Sequence, residues 1–174
     1  MQKRMGKLSE DILRDTGTEL KMRIGLNCGD CIVGNMGGNN RFDYTAVGDA
    51  VNLASRLEGV NKVYNTDILV SAGVVKEVTN GVRFREVDTV RVKGKNVGIT
   101  VLTPCADDEL LARSAEALAL YRESRFDAAE ATWKRMLESW PADPVAKVFL
   151  ERLASFRDDG LPEDWDGIWT LDSK

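Results

Sequence analysis

The chain has 174 residues, 43% of them hydrophobic and 30% charged, which is material for one soluble core or a core plus an appendage. Its net charge of −4 leaves no positive excess to displace counterions along a nucleic acid, and the absence of histidine removes His triads, His metal ligands and a His general base. No apolar run is long enough to cross a bilayer, nothing at the N-terminus reads as a secretory signal, and three cysteines make no disulfide framework, so a cytoplasmic setting without membrane contact is expected.

Residues 3–15 predict a polar helix. In "KMRIGLNC", residues 21–28, Met22, Ile24, Leu26 and Cys28 alternate and predict a half-buried strand. Gly29-Asp30 then offers a two-residue hairpin turn, with "CIVGNMG" as the return strand and "GGNN" as a loop. "RFDYTAV" reads as extended. Gly48-Asp49 breaks the chain before a helix over 50–63, with Val51, Leu53, Ala54, Leu57 and Val60 as its apolar residues. "DILVSAG" is a short buried strand. "VRFREVDTVRVKGK" and "VGITVLTP" predict a second hairpin turning at Gly-Lys-Asn.

The texture changes after Pro104-Cys105, which places a domain boundary there: 1–104 and 105–174. Three helices follow at 3–4 spacing. Leu111, Ala115, Leu118 and Tyr121 line the first. Ala129, Trp133, Met136, Leu137 and Trp140 line the second, and Val145, Val148, Phe149, Leu153 and Phe156 the third. The final "LPEDWDGIWTLDSK" carries two Trp among acidic residues, expected to pack back onto these helices.

Chemistry concentrates in "YTAVGDAVNLASRLEGVNK", Tyr44 to Lys62. Asn52 and Arg56 are four residues apart and so share a helix face. An amide beside a guanidinium that never titrates, near free helix-start N–H groups, suits a phosphoryl group gathering negative charge. A capping Asn and a solvated Arg explain the same spacing. Cys28-Gly-Asp-Cys31 spans the first predicted turn, where facing Cα atoms lie about 5.5 Å apart, within disulfide reach. A redox pair and two ordinary reduced residues are both open; zinc is poorly served, with only remote Cys105 to assist.

The surrounding motifs resemble the second half of a class III nucleotidyl cyclase catalytic domain: Arg23-Ile24-Gly25-Leu26, Gly29, Gly34-Asn35, Gly37, Arg41, Tyr44-Thr45, Gly48-Asp49, Val51 through Glu58, and later "VRVKGK". The resemblance covers roughly 20–104. It implies an α+β fold, the C-terminal part of a ferredoxin-like domain with a mixed sheet, followed by an all-α tail similar to a tetratricopeptide helical hairpin. It implies that Asn52 orients the ribose, Arg56 contacts the phosphates, Thr45 reads the purine and Lys93 neutralises the terminal phosphates. The implied reaction turns ATP into 3′,5′-cyclic AMP and pyrophosphate, in a head-to-tail dimer, with two Mg or Mn ions in the complete enzyme.

The family's metal-binding Asp residues sit in an F-x-D-I-x-x-F-T strand and a G-D-x-x-M/L-A-x-F/W hairpin, and neither motif occurs here. The resemblance therefore implies a truncated cyclase that binds no metal and is inactive alone. It would self-associate or pair with the missing half through unpaired strand edges. The alternative is a catalytically dead cyclase-like module whose tail recruits a protein partner.

Overall fold

The computed structural model describes residues 2–38, 41–92, 97–162 and 164–171. Thirteen elements run in chain order: α1 Gln2–Thr16, β1 Ile24–Leu26, β2 Ile32–Gly38, β3 Arg41–Val47, α2 Asp49–Tyr64, β4 Ile68–Ser71, α3 Ala72–Glu77, β5 Phe84–Arg91, β6 Ile99–Pro104, α4 Asp108–Arg122, α5 Phe126–Ser139, α6 Pro144–Asp159 and β7 Trp169–Thr170. They form a mixed α+β fold. A five-stranded sheet has the order β1-β4-β6-β5-β7, and β2 and β3 make a separate two-stranded ribbon.

The strands are short runs rich in Val, Ile and Thr, which suit a pleated, half-buried surface. β4–β6 and β5–β6 are antiparallel, so the second predicted hairpin is present, its turn at 93–96 lying outside the described residues. The first predicted hairpin is not. β1 pairs in parallel with β4, Ile24 beside Ile68, while β2 runs antiparallel to β3, Ile32 beside Val47. Gly29-Asp30 therefore belongs to a crossing between two sheets. Alternation reports that a strand is half buried; it does not name the strand's neighbour. Gly37 and Gly38 belong to β2 and not to the expected loop.

In β5 the register shifts between Glu86 and Asp88, a bulge that admits one extra residue. Strict alternation would turn Asp88 the way Glu86 faces. With the bulge, Asp88 and Val90 continue the buried side begun by Arg85 and Val87.

α2 and α4 lie against this sheet, α6 packs beside α2 and reaches the sheet through Arg152 at Asp88, and α5 closes against α4 and α6. One buried cluster links them: Leu57, Val60 and Tyr64 of α2, Leu69, Val87, Val90 and Val101 of the sheet, and Leu118, Tyr121, Trp133, Met136, Phe149 and Leu153 of the helices. The helical faces are close to those expected, with two differences. Ala115 is exposed, and Ser114 and Ala117 are buried in its place. Arg152 is buried on α6 beside Phe149 and Leu153. The two C-terminal Trp do return to the helices. Trp165 packs edge-on to Tyr121 and Phe156, and Trp169 enters β7, which pairs in parallel with β5.

Two aspartates begin the helical layer. Asp107 caps α4 by accepting from the Glu109 and Leu110 amides, and also accepts the Trp140 indole N–H. The Leu110 amide bond, then the indole bond, hold its carboxyl below the usual range. Asp143 caps α6 at the Ala146 amide and pairs with buried Arg85 of β5.

Candidate functional site

The site is the α2 helix and the ribbon that leads into it. Gly48, in an extended conformation, is the N-cap of α2. Its Cα carries no side chain because a Cβ would meet the Asp30 carbonyl at 3.2 Å and Cys31 at 3.3 Å. The helix is then gripped from behind at four levels. At its start, Asn27 donates to the Ala50 carbonyl (3.1 Å) and accepts from the Ser71 hydroxyl (2.6 Å). In the middle, β1 lies directly against the backbone. A Cβ on Gly25 would fall on the Ala54 carbonyl and the Glu58 amide, and 2.9 Å from the Leu57 carbonyl carbon. One turn later, buried Asn61 donates to the Ile24 carbonyl (3.1 Å) and to the Leu57 carbonyl (3.0 Å), and accepts from Thr66 (2.9 Å).

The last level is a buried polar cluster. The Tyr64 hydroxyl donates to Asp88 Oδ2 at 2.5 Å. Arg152 donates to Asp88 Oδ2 (2.8 Å), to the Tyr64 oxygen (3.1 Å) and to the Tyr121 oxygen (3.3 Å). Asp88 Oδ1 takes the Thr89 amide at 2.7 Å. Burial, then the Asp88 charge, pushes the Tyr64 hydroxyl well above its ordinary pKa, and burial raises Tyr121. Burial acts to lower the Arg152 pKa, but the facing Tyr64 and Asp88 oxygens more than reverse it.

Against this fixed back, Asn52 and Arg56 point the other way. Asn52 is exposed and Arg56 half-buried, one turn apart on α2. Asn52 is the fourth residue of the helix, so the capping role that could have explained it belongs to Gly48. Neither side chain has a hydrogen-bond or ion-pair partner among the described residues. Thr45 is exposed on β3 opposite Gly34, three residues before the N-cap. The structure therefore sets Thr45, Asn52 and Arg56 along one continuous ribbon-to-helix segment. Lys93 lies just past β5, outside the described residues.

Cys28 and Cys31 are free and exposed. They lie in the crossing between β1 and β2, so the cross-hairpin pairing that would have set them face to face is absent. Among the described residues, no three Cys, Asp or Glu side chains come together as a metal cage. The described residues therefore offer no donor set for the pair of ions that the resemblance implies for the complete enzyme.

Sequence alone missed Gly25's reason, Asn61, Asp88 and Arg152. A signal existed for two of them: Asn61 stands four residues after Leu57, and Arg152 three after Phe149, each on its helix's apolar stripe.

Comparisons place this arrangement among known proteins. Adenylate cyclase 1 of Rhizobium meliloti (strain 1021) is 42% identical over 83 residues, 48% of this chain and 12% of that protein. The adenylate cyclase of Anabaena cylindrica is 35% identical over 108 residues, 58% of this chain and 22% of that protein. The chain thus spans less than a quarter of the length of these curated relatives. Among solved structures, the adenylyl cyclase CyaB from P. aeruginosa superposes with a TM-score of 0.53 at 30% identity, covering 60% of this chain and 53% of that one. The model of the adenylate and guanylate cyclase catalytic domain matches residues 1–103, more than half of the chain, which therefore belongs to that family.

Proposed function

We propose that this chain carries the nucleotide-orienting part of an adenylate cyclase, the part that steers ATP toward 3′,5′-cyclic AMP and pyrophosphate. The observation behind the reading is the contrast on α2. Its back is locked by Gly25, Asn61 and Tyr64, while Asn52 and Arg56 stand unpartnered in front. Polar side chains left free on a rigid element are preorganised to bind.

In this reading the ribose 3′ oxygen attacks the α-phosphorus. A new P–O bond forms, the 3′ proton passes to solvent water, and the bond from the α-phosphorus to the bridging oxygen breaks as pyrophosphate departs. The Asn52 amide holds the ribose so that attack is in line. The Arg56 fork donates to phosphate oxygens as charge builds on them. Thr45 meets the purine edge, where a hydroxyl both donates and accepts, and Lys93 neutralises the terminal phosphates. Metal ligands would come from residues other than those described.

The exposed apolar residues of β1 and the ribbon, Leu26, Ile32 and Tyr44, support docking of a second copy or of a separate metal-bearing half. The helices after Pro104 are read as a tetratricopeptide-like hairpin that braces the sheet rather than offering a peptide groove, since about one and a half such units cannot stack into one. A cytoplasmic location completes the reading; among the described residues no helix is long and apolar enough to cross a membrane.

The test measures cyclic AMP from ATP with manganese. The chain alone is compared with the chain mixed with a metal-competent cyclase domain that lacks the Asn and Arg. Activity is expected only in the mixture, and Asn52→Ala or Arg56→Ala should lower it by about 100-fold or more. Silence in the mixture, with the chain confirmed folded, would overturn the reading and favour a purely assembling module.

A further inference from the structure

We propose that Arg152 is a positioning residue. From α6 it clamps the C-terminal end of α2 to β5 and so sets where Asn52 stands relative to Arg56, an inference that rests on the roles given to those two residues above.

The contacts run without a gap. Arg152 holds the Asp88 carboxylate at 2.8 Å and the Tyr64 oxygen at 3.1 Å, and Tyr64 itself bonds Asp88. Tyr64 is the last residue of α2. The ion pair is almost wholly enclosed, with side-chain exposures of 3% for Arg152 and 1% for Asp88. Apolar residues of similar size would hold a helix at least as firmly, so enclosing a charge pair serves geometry better than it serves stability. The planar fork bonds only in one orientation. Its orientation is fixed in turn by aromatic rings, with the guanidinium carbon 4.2 Å from the Trp169 ring centre and 4.8 Å from that of Phe149. Trp169 belongs to β7, so the C-terminal segment completes the clamp. The β5 bulge completes it from the other side by turning Asp88 inward.

Mechanics connects the clamp to the site. β1 grips α2 at Ala54–Glu58, through Gly25. That contact is a pivot, with the Asn27 and Asn61 amides holding the helix by single hydrogen bonds and the Tyr64 cluster holding its far end by a buried ion pair, so loss of the cluster removes the strongest restraint on rocking. Asn52 lies about 6 Å along the axis from the pivot, so a rock of about 10° moves it by about 1 Å. A displacement of that size costs on the order of 100-fold in a reaction that depends on alignment.

The experiment uses the full chain mixed with the metal-competent, Asn/Arg-deficient cyclase domain. Tyr64→Phe removes one hydroxyl and keeps the ring; Arg152→Lys keeps the charge and loses the fork. Each should lower kcat about tenfold with the KM for ATP unchanged, and the double variant should fall little further, because both release one clamp. Backbone amide exchange should accelerate about tenfold at residues 53–56 and stay unchanged in α5. If Arg152→Lys fails to fold, Tyr64→Phe carries the test alone. A folded Tyr64→Phe chain with unaltered kcat, or with faster exchange confined to the last turn of α2, overturns the proposal. Asn52→Ala is the separate control. Should it leave the mixture's activity intact, the reading of Asn52 fails, and exchange along α2 still decides whether the clamp positions this helix.

Discussion

Gly25 shows how much a single side chain can decide. The motif Arg23-Ile24-Gly25-Leu26 marks the residue in the sequence, but the reason for it is three-dimensional: the backbone of α2 passes where its Cβ would be. The obstructing atoms belong to backbone in mid-helix, which cannot swing aside as a side-chain tip would. Gly25→Ala should therefore push α2 off β1 and destabilise the chain by about 1–3 kcal/mol, read as a lower urea midpoint. An unchanged midpoint would show that β1 and α2 have room for a methyl group between them. Asn52 and Arg56 drew notice by a spacing that a capping Asn and a solvated Arg fit equally well, and the motifs around them are what gave that spacing a chemical meaning. Asn61 was not, because an Asn in a helix reads as solvated until Ile24, far away in sequence, is found to need its amide.

Among the elements, those with strong local signals were the ones that could be read. α2, α4, α5 and α6 follow apolar spacing and caps, and β5 and β6 announce their hairpin. β1 was read as a strand and given the wrong neighbour, since its pairing with β4 depends on a crossing that carries no local mark. The two-residue β7 has no pattern long enough to see. Contacts between elements are equally hidden, and the α5–α6 seam illustrates one with a consequence for pH. Glu130 of α5 accepts from Arg157 of α6 and pairs with Lys134 at 2.7 Å. Arg157, then Lys134, hold its carboxyl at about 2, against an ordinary 4.5. A carboxylate more acidic in the folded chain stabilises it fully above pH 4.5, and that contribution fades as pH falls toward 2. Both cationic partners are exposed, which limits the effect to about 0.5–1 kcal/mol. Glu130→Gln should lower stability by that amount at pH 7 and by nothing near pH 2. Equal losses at both pH values would assign the effect to packing instead.

At the scale of the molecule, burial is lopsided. Among the described residues the two buried ion pairs, Arg85–Asp143 and Asp88–Arg152, join β5 to α6 and its N-cap, so the helical layer is fastened to the sheet by oriented charges as well as by apolar contact. Composition could promise a core of this size, yet the partners in those pairs are more than fifty residues apart and no local pattern connects them. The ribbon has no such cover. Ile32 and Val33, adjacent in β2 and so on opposite faces, are 72% and 52% exposed, and Tyr44 of β3 is 77% exposed. Val47 and Leu26 extend the apolar surface at 48% and 44%. A two-stranded ribbon is marginal by itself, and large side chains left in water on both its faces gain by contact with another surface. The chain should therefore associate reversibly over the micromolar range, visible as a sedimentation coefficient that rises with concentration. Ile32→Lys combined with Tyr44→Lys should hold it monomeric without lowering its urea midpoint, because neither residue contributes to the buried core. If the wild-type chain stays monomeric throughout, the ribbon is stable without a partner and its apolar residues are not a contact surface. If the double variant associates as the wild type does, the contact lies elsewhere, and the half-exposed Leu8 and Leu13 of α1 become the next surface to change.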